Sequence, residues 1–368
     1  MLKVLYLLNH AGKAGTERYV YSLIERLHNK KIKAYFAYNE EGPLVDRLRE
    51  LGVEIYRIEM RNPYDLKAVR EVNSLCRKLG IDLIHTQYLR ENYISMLSRL
   101  LNPKVKVMYT NHFIMRNNLP LRITNRLITP LEANIIAVCN KGKDMMISNG
   151  VNGKKIHVIF NGVDPDLWGE PIKSTLREEF GIDDDTFVML CVSRFAHDKG
   201  HGFLVNSIAR LKEMTDRKFM LVLANDGPLL EQVKKQVKDM NLEDKIIFTG
   251  FRRDVKNLFF GSDVYINSSE HEALSFAIIE ALAAGLPVIA ADMAGNGDII
   301  NSETNCGLLV KYNDPDSMAE AILKMMNDRE LQESLKKNAL KTVRERFNLD
   351  IMVDRTYNLY LKSCNQKI

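Results

Sequence analysis

Tryptophan occurs once in this chain of 368 residues, cysteine five times and proline ten times. Cys76, Cys139, Cys191, Cys306 and Cys364 are widely spaced, odd in number and without CxxC or Cys/His ligand spacing. That pattern excludes a disulfide framework and a zinc module, and makes a reducing cytosol the simplest home. No apolar run approaches the roughly 18 residues that a membrane span needs; the longest candidate, 273–291, is interrupted by Glu280 and by Gly285-Leu286-Pro287. The opening MLKVLYLLNH has no small-residue cleavage site and soon meets a polar, glycine-containing loop, so it reads as a first strand rather than a signal peptide. Low-complexity tracts and short repeats are missing as well, as is any recognisable nucleic-acid reader motif.

What is present is ordinary globular composition, 46% hydrophobic and 27% charged, in a chain too long for one core and suited to two domains. The net charge of +5 is unevenly spread: Lys and Arg exceed Asp and Glu by about nine over residues 1–170 and fall short by about four beyond them. Short apolar strands alternate with amphipathic helical runs from the first residues onward, which calls for parallel sheets covered on both faces. KVLYLL, KAYFAY, EIYRI, DLIHT, KVMYT, NIIAV and IHVIF form one such series, and FVMLCVS, FMLVLA, KIIFTG, VYINS, PVIAA and GLLV a second. The turn-rich segment 161–171 separates them as a linker. The expected division is 1–168, 169–349 and a final helix, 350–368, whose apolar residues Met352, Val353, Tyr357, Tyr360 and Leu361 need a surface to pack on. Two doubly wound α/β domains facing each other would leave a cleft at the carboxyl ends of their strands.

The stretch SSEHEALSFAIIEALAAGLPVIA, 268–290, organises the rest. It sets Glu272 and Glu280 eight positions apart, the second inside a helical run, a separation that rises roughly 12 Å along a helix. A helix start near Leu274 and Ser275 would attract an anion between the two acids. Arg194 and Lys199, in SRFAHDKG directly after a strand, are either solvated loop cations or a diphosphate clamp. Gly12 and Gly15, after the first strand, make either a structural turn or a phosphate loop; the order matches neither GxGxxG nor the P-loop, which weighs against nicotinamide and NTPase readings. His112, just past KVMYT, is a structural histidine or a donor to sugar and phosphate oxygens, with His85 a weaker candidate. Asp183-Asp184-Asp185 reads as a solvated turn rather than a metal site. Between residues 99 and 131, Lys104, Lys106, Arg116, Arg122 and Arg126 alternate with Leu119, Leu121, Ile123 and Leu127. This segment either lies on an anionic membrane or packs an ordinary helix with a basic face.

Together these pieces resemble the retaining, nucleotide-sugar-dependent glycosyltransferases of family 4, with the GT-B fold. The E-x7-E signature from Glu272 to Glu280 is the most specific element, supported by AGTER, NGVD, SRFAHDKG, NDGPL, FTGF and GLLV in the family's order. The resemblance implies that Glu280 accepts hydrogen bonds from ribose and Glu272 from the donor sugar, the donor lying along Leu274, Ser275 and Phe276. It implies that Arg194, Lys199 and the Gly15 amide meet the diphosphate, that backbone at Phe251 and Arg252 holds the base, that His112 lies by the anomeric centre, and that the final helix, 350–368, crosses back to the first domain. Where many members carry glycines after the first glutamate, this chain has Ala273, Leu274 and Ser275, and their Gly-Gly pair is Ala14-Gly15 here. The implied reaction moves a hexose-type sugar from a UDP- or GDP-sugar, UDP favoured, to a lipid-linked or polysaccharide-precursor acceptor held by the first domain, with no metal or other cofactor, in the cytoplasm or peripherally at the inner membrane face. A sugar-nucleotide epimerase or phosphorylase of the same fold and a non-catalytic nucleotide-sugar-binding module are the competing readings.

Overall fold

The computed structural model describes residues 1–12 and 14–365, and Lys13 of the glycine loop lies outside them. The chain divides into two units, Met1–Asn161 with Leu349–Ile368, and Gly162–Asn348.

The first unit is built on a parallel sheet of β1 (Leu2–His10), β2 (Ile32–Glu40), β3 (Glu54–Arg57), β4 (Leu83–Thr86), β5 (Lys106–Asn111), β6 (Asn134–Ala137) and β7 (Ile156–Val158), in the order β3-β2-β1-β4-β5-β6-β7. Strand β1 reads as a continuous apolar run because both of its faces are covered: Leu5, Tyr6, Leu7 and Leu8 are all fully buried. Val4 pairs with Ala34 on one side and Leu83 on the other. Strand order therefore reverses between β1 and β4, and the loops that leave their carboxyl ends carry the glycine loop and Gln87.

The last helix, Leu349–Ser363, belongs to this unit. Its buried Met352, Val353, Tyr360 and Leu361 give the apolar face a partner, and the Tyr360 hydroxyl lies 2.6 Å from His85 Nδ1 and 3.1 Å from the Tyr6 hydroxyl. Lys31 pairs with Asp354 at the rim.

The second unit holds β8 (Phe187–Val192), β9 (Phe219–Ala224), β10 (Ile246–Gly250), β11 (Val264–Asn267), β12 (Val288–Ala291) and β13 (Gly307–Val310), ordered β10-β9-β8-β11-β12-β13. Its switch point falls between β8 and β11, so the loop 193–200 and the loop 268–275 emerge side by side.

The segment expected to be a linker is instead part of this unit, and the boundary moves from 168 to 161. Val163 N–H donates to the Phe347 carbonyl at 2.9 Å, Trp168 packs edge-on against Phe259, and Asp164 caps the short helix Pro165–Gly169. Prolines and glycines there shape a docked turn rather than a free hinge.

Helix Pro43–Glu50 escaped the sequence pattern, and within the segment 99–131, where one of two readings was a core-packing helix with a basic face, a second helix forms, Leu119–Ile128. Among the residues of the second, only Asn125 is buried. Its apolar positions Leu119, Ile123 and Leu127 are more than half exposed, so no core-facing stripe marks it.

Candidate active site

In the second unit the two loops at the switch point are clasped together. Lys199 Nζ lies 2.7 Å from Glu272 Oε2 and 3.2 Å from Asp198 Oδ2. Ser268 Oγ donates to the Lys199 carbonyl at 2.8 Å, and the Glu270 N–H donates to the Asp198 carbonyl at 2.9 Å. Gly200 makes this approach feasible: its φ is +67°, and a Cβ there would stand 2.1 Å from the Ser268 carbonyl oxygen. Burial opposes the Lys199 charge, but Glu272 and Asp198 outweigh it and hold the ammonium above its ordinary pKa. The lysine is thus a fixed cation at the carboxyl edge of β8 and β11. Arg194, just past the end of β8, is exposed and makes no ion pair among the described residues.

Helix Phe276–Ala283 starts where expected, with Ser275 as the cap accepting from the Ile278 N–H. Glu272 lies in the loop before it, so only Glu280 is on the helix and the separation of the two acids is not a helical rise. The reason is the clasp: the Glu272 carbonyl accepts from the Gly295 N–H and its carboxylate is held by Lys199, which keeps 268–275 irregular until the Ser275 cap. Glu280 is buried in the last turn. Both acids are within electrostatic reach of the buried Tyr265 hydroxyl on β11, which stands well above the usual tyrosine range, chiefly through burial. Leu274 is buried beside them and Phe276 half-buried.

Phe251 and Arg252 follow β10 at the same edge. Phe251 is half exposed, whereas the Arg252 guanidinium is fully engaged by Glu179 and Asp254, which leaves backbone, not this side chain, to meet a ligand.

In the first unit, Gly15 opens the helix Gly15–Leu27, and Ala14 offers the first-turn amides no side-chain acceptor. His112 Nε2 donates to Gln87 Oε1 at 2.9 Å, which leaves Nδ1 with its lone pair. Its ring meets Tyr19 edge-on with centroids 4.9 Å apart, and burial lowers its pKa to about 3, so the imidazole is neutral. His85 is different. It is fully buried, its two nitrogens lie 2.6 Å and 2.7 Å from the hydroxyls of Tyr360 and Thr110, and it is a core residue rather than a ligand contact. The acidic triplet is a solvated turn whose Asp183 and Asp185 pair with Lys218; among the described residues no three His, Cys, Asp or Glu side chains gather as a metal site.

Sequence reasoning missed Gln87, Asp198 and Asn296. Gln87 sits beside His112 only because β4 and β5 are neighbours in the sheet. Asn296, fully buried with its amide on the Ala291 carbonyl at 3.0 Å, follows Gly295, the partner of Glu272. Asp198 was within reach of inspection, adjacent to Lys199 in the same loop.

Two Rossmann-like units, each a parallel sheet covered by helices, are the architecture of the GT-B glycosyltransferases. The family comparisons agree: residues 172–342 match the model described as Glycosyl transferases group 1 and residues 14–167 the model described as Glycosyltransferase Family 4. The chain belongs to this glycosyltransferase group. It is 27% identical, over 95% of its length and 94% of the other's, to the Escherichia coli UDP-Gal:alpha-D-GlcNAc-diphosphoundecaprenol alpha-1,3-galactosyltransferase. A glycosyltransferase structure from Rickettsia africae superposes with a TM-score of 0.89 at 23% identity, over 100% of this chain and 99% of that one. Anabaena HepE, solved in complex with UDP, gives 0.86 at 19% identity over 97% and 99%.

Proposed function

We propose that this enzyme moves a hexose-type sugar from a UDP-sugar to a lipid-linked or polysaccharide-precursor acceptor with retention of configuration. The observation that carries the reading is the Lys199–Glu272 pair held at 2.7 Å in the loops before helix Phe276–Ala283, with Glu280 buried about one turn into that helix. A diphosphate arriving at that edge competes with Glu272 for the Lys199 ammonium, and Arg194 adds a second cation with a planar fork. Glu272, relieved of its partner, accepts from a sugar hydroxyl, while Glu280 accepts from ribose. Leu274, Ser275 and Phe276 line the donor, and backbone at Phe251 and Arg252 takes the base. The cations and the helix amides stabilise the charge that grows on the departing nucleoside diphosphate, which is where preorganised electrostatics accelerates a reaction most. In this reading the chain's own cations meet that charge and no metal is called on. Gly15 is assigned to the diphosphate and neutral His112 to the sugar, and the first unit to the acceptor. The named activity of the Escherichia coli relative supports both the UDP donor and the lipid-linked acceptor class.

Assay of UDP-sugar turnover by Glu272→Ala and Arg194→Ala tests the site: each loses most of its transfer while retaining its circular dichroism, and unchanged turnover would remove the assignment. The same reading places the protein on the inner membrane face. Leu119, Ile123 and Leu127 are exposed on one helix with Arg116 and Arg126 exposed beside them, whereas Lys104 and Lys106 lie at the opposite, amino end of β5 and take no part. Each cation near an anionic lipid surface contributes about 1 kcal/mol. Flotation with anionic liposomes at low salt tests this, and absence of association there would contradict it.

A further inference from the structure

The Gln87 side chain is fully buried just past the end of β4, and it is poorly satisfied there. Its Nε2, shielded from solvent, has no hydrogen-bond partner, and the one contact its amide makes among the described residues is at Oε1, which accepts from His112 Nε2 at 2.9 Å. A methionine would fill that space without leaving a buried amide half paired. What the amide adds is its grip on His112. A second grip comes from Tyr19 on helix Gly15–Leu27, fully buried itself, whose ring meets the imidazole edge-on at 72° with centroids 4.9 Å apart. The Tyr19 hydroxyl lies 3.4 Å from Thr110 Oγ1, which ties that ring to β5.

We propose that Gln87 is a positioning residue that locks the half-buried His112 ring with its proton on Nε2, so that Nδ1 meets a ligand only as an acceptor. A neutral imidazole carries one proton on its two nitrogens. Once that proton is given to Gln87, the group that reaches Nδ1 has to bring its own, which a sugar hydroxyl does and an ionised phosphate does not. Of the two ligand oxygens open to His112 from the sequence, sugar and phosphate, the Gln87 contact keeps the first. The titratable groups that face the ring add no charge near neutrality: burial pushes Tyr19 up to about 12 and His85, across Thr110, down to about 3. The lock stands on these contacts alone, whereas its use in catalysis rests on the transfer reading above, in which His112 meets the donor sugar.

The tautomer is read by nitrogen NMR of the full chain, isotopically labelled at histidine and free of ligands, the His112 signals being those lost in His112→Asn. The unaltered chain gives a single neutral state with the proton on Nε2, and Gln87→Met, close in volume but without an amide, gives exchange between the two tautomers. Turnover of a UDP-sugar is then compared across Gln87→Met, Gln87→Glu and His112→Ala. Gln87→Met binds UDP as the parent does, while its kcat falls about tenfold or more with KM little changed. Gln87→Glu still accepts the Nε2 proton, so it restores turnover at the alkaline end of the pH profile. It loses turnover towards neutrality, where the new carboxylate holds His112 as the imidazolium and removes the Nδ1 acceptor, a loss that the parent does not show. A proton on Nδ1 in the unaltered chain, an unchanged spectrum in Gln87→Met, or equal turnover by Gln87→Met and Gln87→Glu at every pH overturns the proposal, as does full turnover by Gln87→Met where His112→Ala has lost it. Unchanged turnover in His112→Ala, with the tautomers as stated, counts against the transfer reading of His112 instead.

Discussion

Lys199 Nζ and Glu272 Oε2, on loops that leave neighbouring strands, lie 2.7 Å apart with only 19% and 23% of their side chains exposed. The pair ties together the two loops at the carboxyl edge of the second unit's sheet, and in the proposed function its members part to meet a diphosphate and a sugar. Lys199→Met and Glu272→Gln should each reduce transfer by about a hundredfold or more, the magnitude expected when one preorganised electrostatic contact is lost. In the ligand-free protein a double-mutant cycle on urea stability should give a coupling on the order of 1 kcal/mol. Additive effects in that cycle would mean that the loops are held by Ser268 and the backbone alone.

Gly200→Ala should destabilise the second unit out of proportion to its size. The residue sits at φ +67°, and its new methyl would meet the Ser268 carbonyl at 2.1 Å. Strain and clash together should cost on the order of 2 kcal/mol or more, seen as a lower melting temperature. An unchanged melting temperature would mean that the loops part without penalty.

The Tyr360 hydroxyl contacts both His85 and Tyr6 in the core of the first unit. Tyr360→Phe leaves His85 Nδ1 buried without a partner and should cost about 1–3 kcal/mol in urea unfolding. A change of only a few tenths would show that the core repairs the contact, and that the last helix is held without it.

The pH dependence of Glu132 has a definite sign. Burial raises its folded pKa from 4.5 to about 7, so between those values the folded state binds more protons than the unfolded state, and stability is lost as pH rises through the window. Glu132→Gln removes that loss. The stability of the variant relative to the parent should therefore improve by on the order of 2 kcal/mol from about pH 4.5 to about pH 7.5, measured as paired urea midpoints. A difference that stays constant, or moves the other way, would show that Glu132 is solvated in the folded protein.

Much of this molecule was legible because its strands are runs of Val, Ile, Leu and Phe buried on both faces, which announce themselves without any partner. The loop cations were legible because they follow such a strand, and the Ser275 cap because it directly precedes an apolar helical run. What stayed hidden depends on neighbours far apart in sequence. Gln87 reaches His112 only through the pairing of β4 with β5, and Glu132 meets Asn92 across forty residues. The helix Leu119–Ile128 exposes its apolar side chains, so periodicity had no core to point to. The segment 162–171 looked like a linker because its prolines and glycines are the same ones that a docked turn requires.

The measurement that reaches the centre of the account is calorimetric titration with UDP, paired with turnover of a UDP-sugar, for the unaltered chain, Glu280→Ala and Glu272→Ala. Glu280→Ala should weaken UDP binding at least tenfold. Glu272→Ala should bind UDP as well as the parent, or better through a released Lys199, yet transfer almost no sugar. Full turnover by Glu272→Ala, or undiminished UDP affinity in Glu280→Ala, would contradict the division of roles on which the proposed function stands.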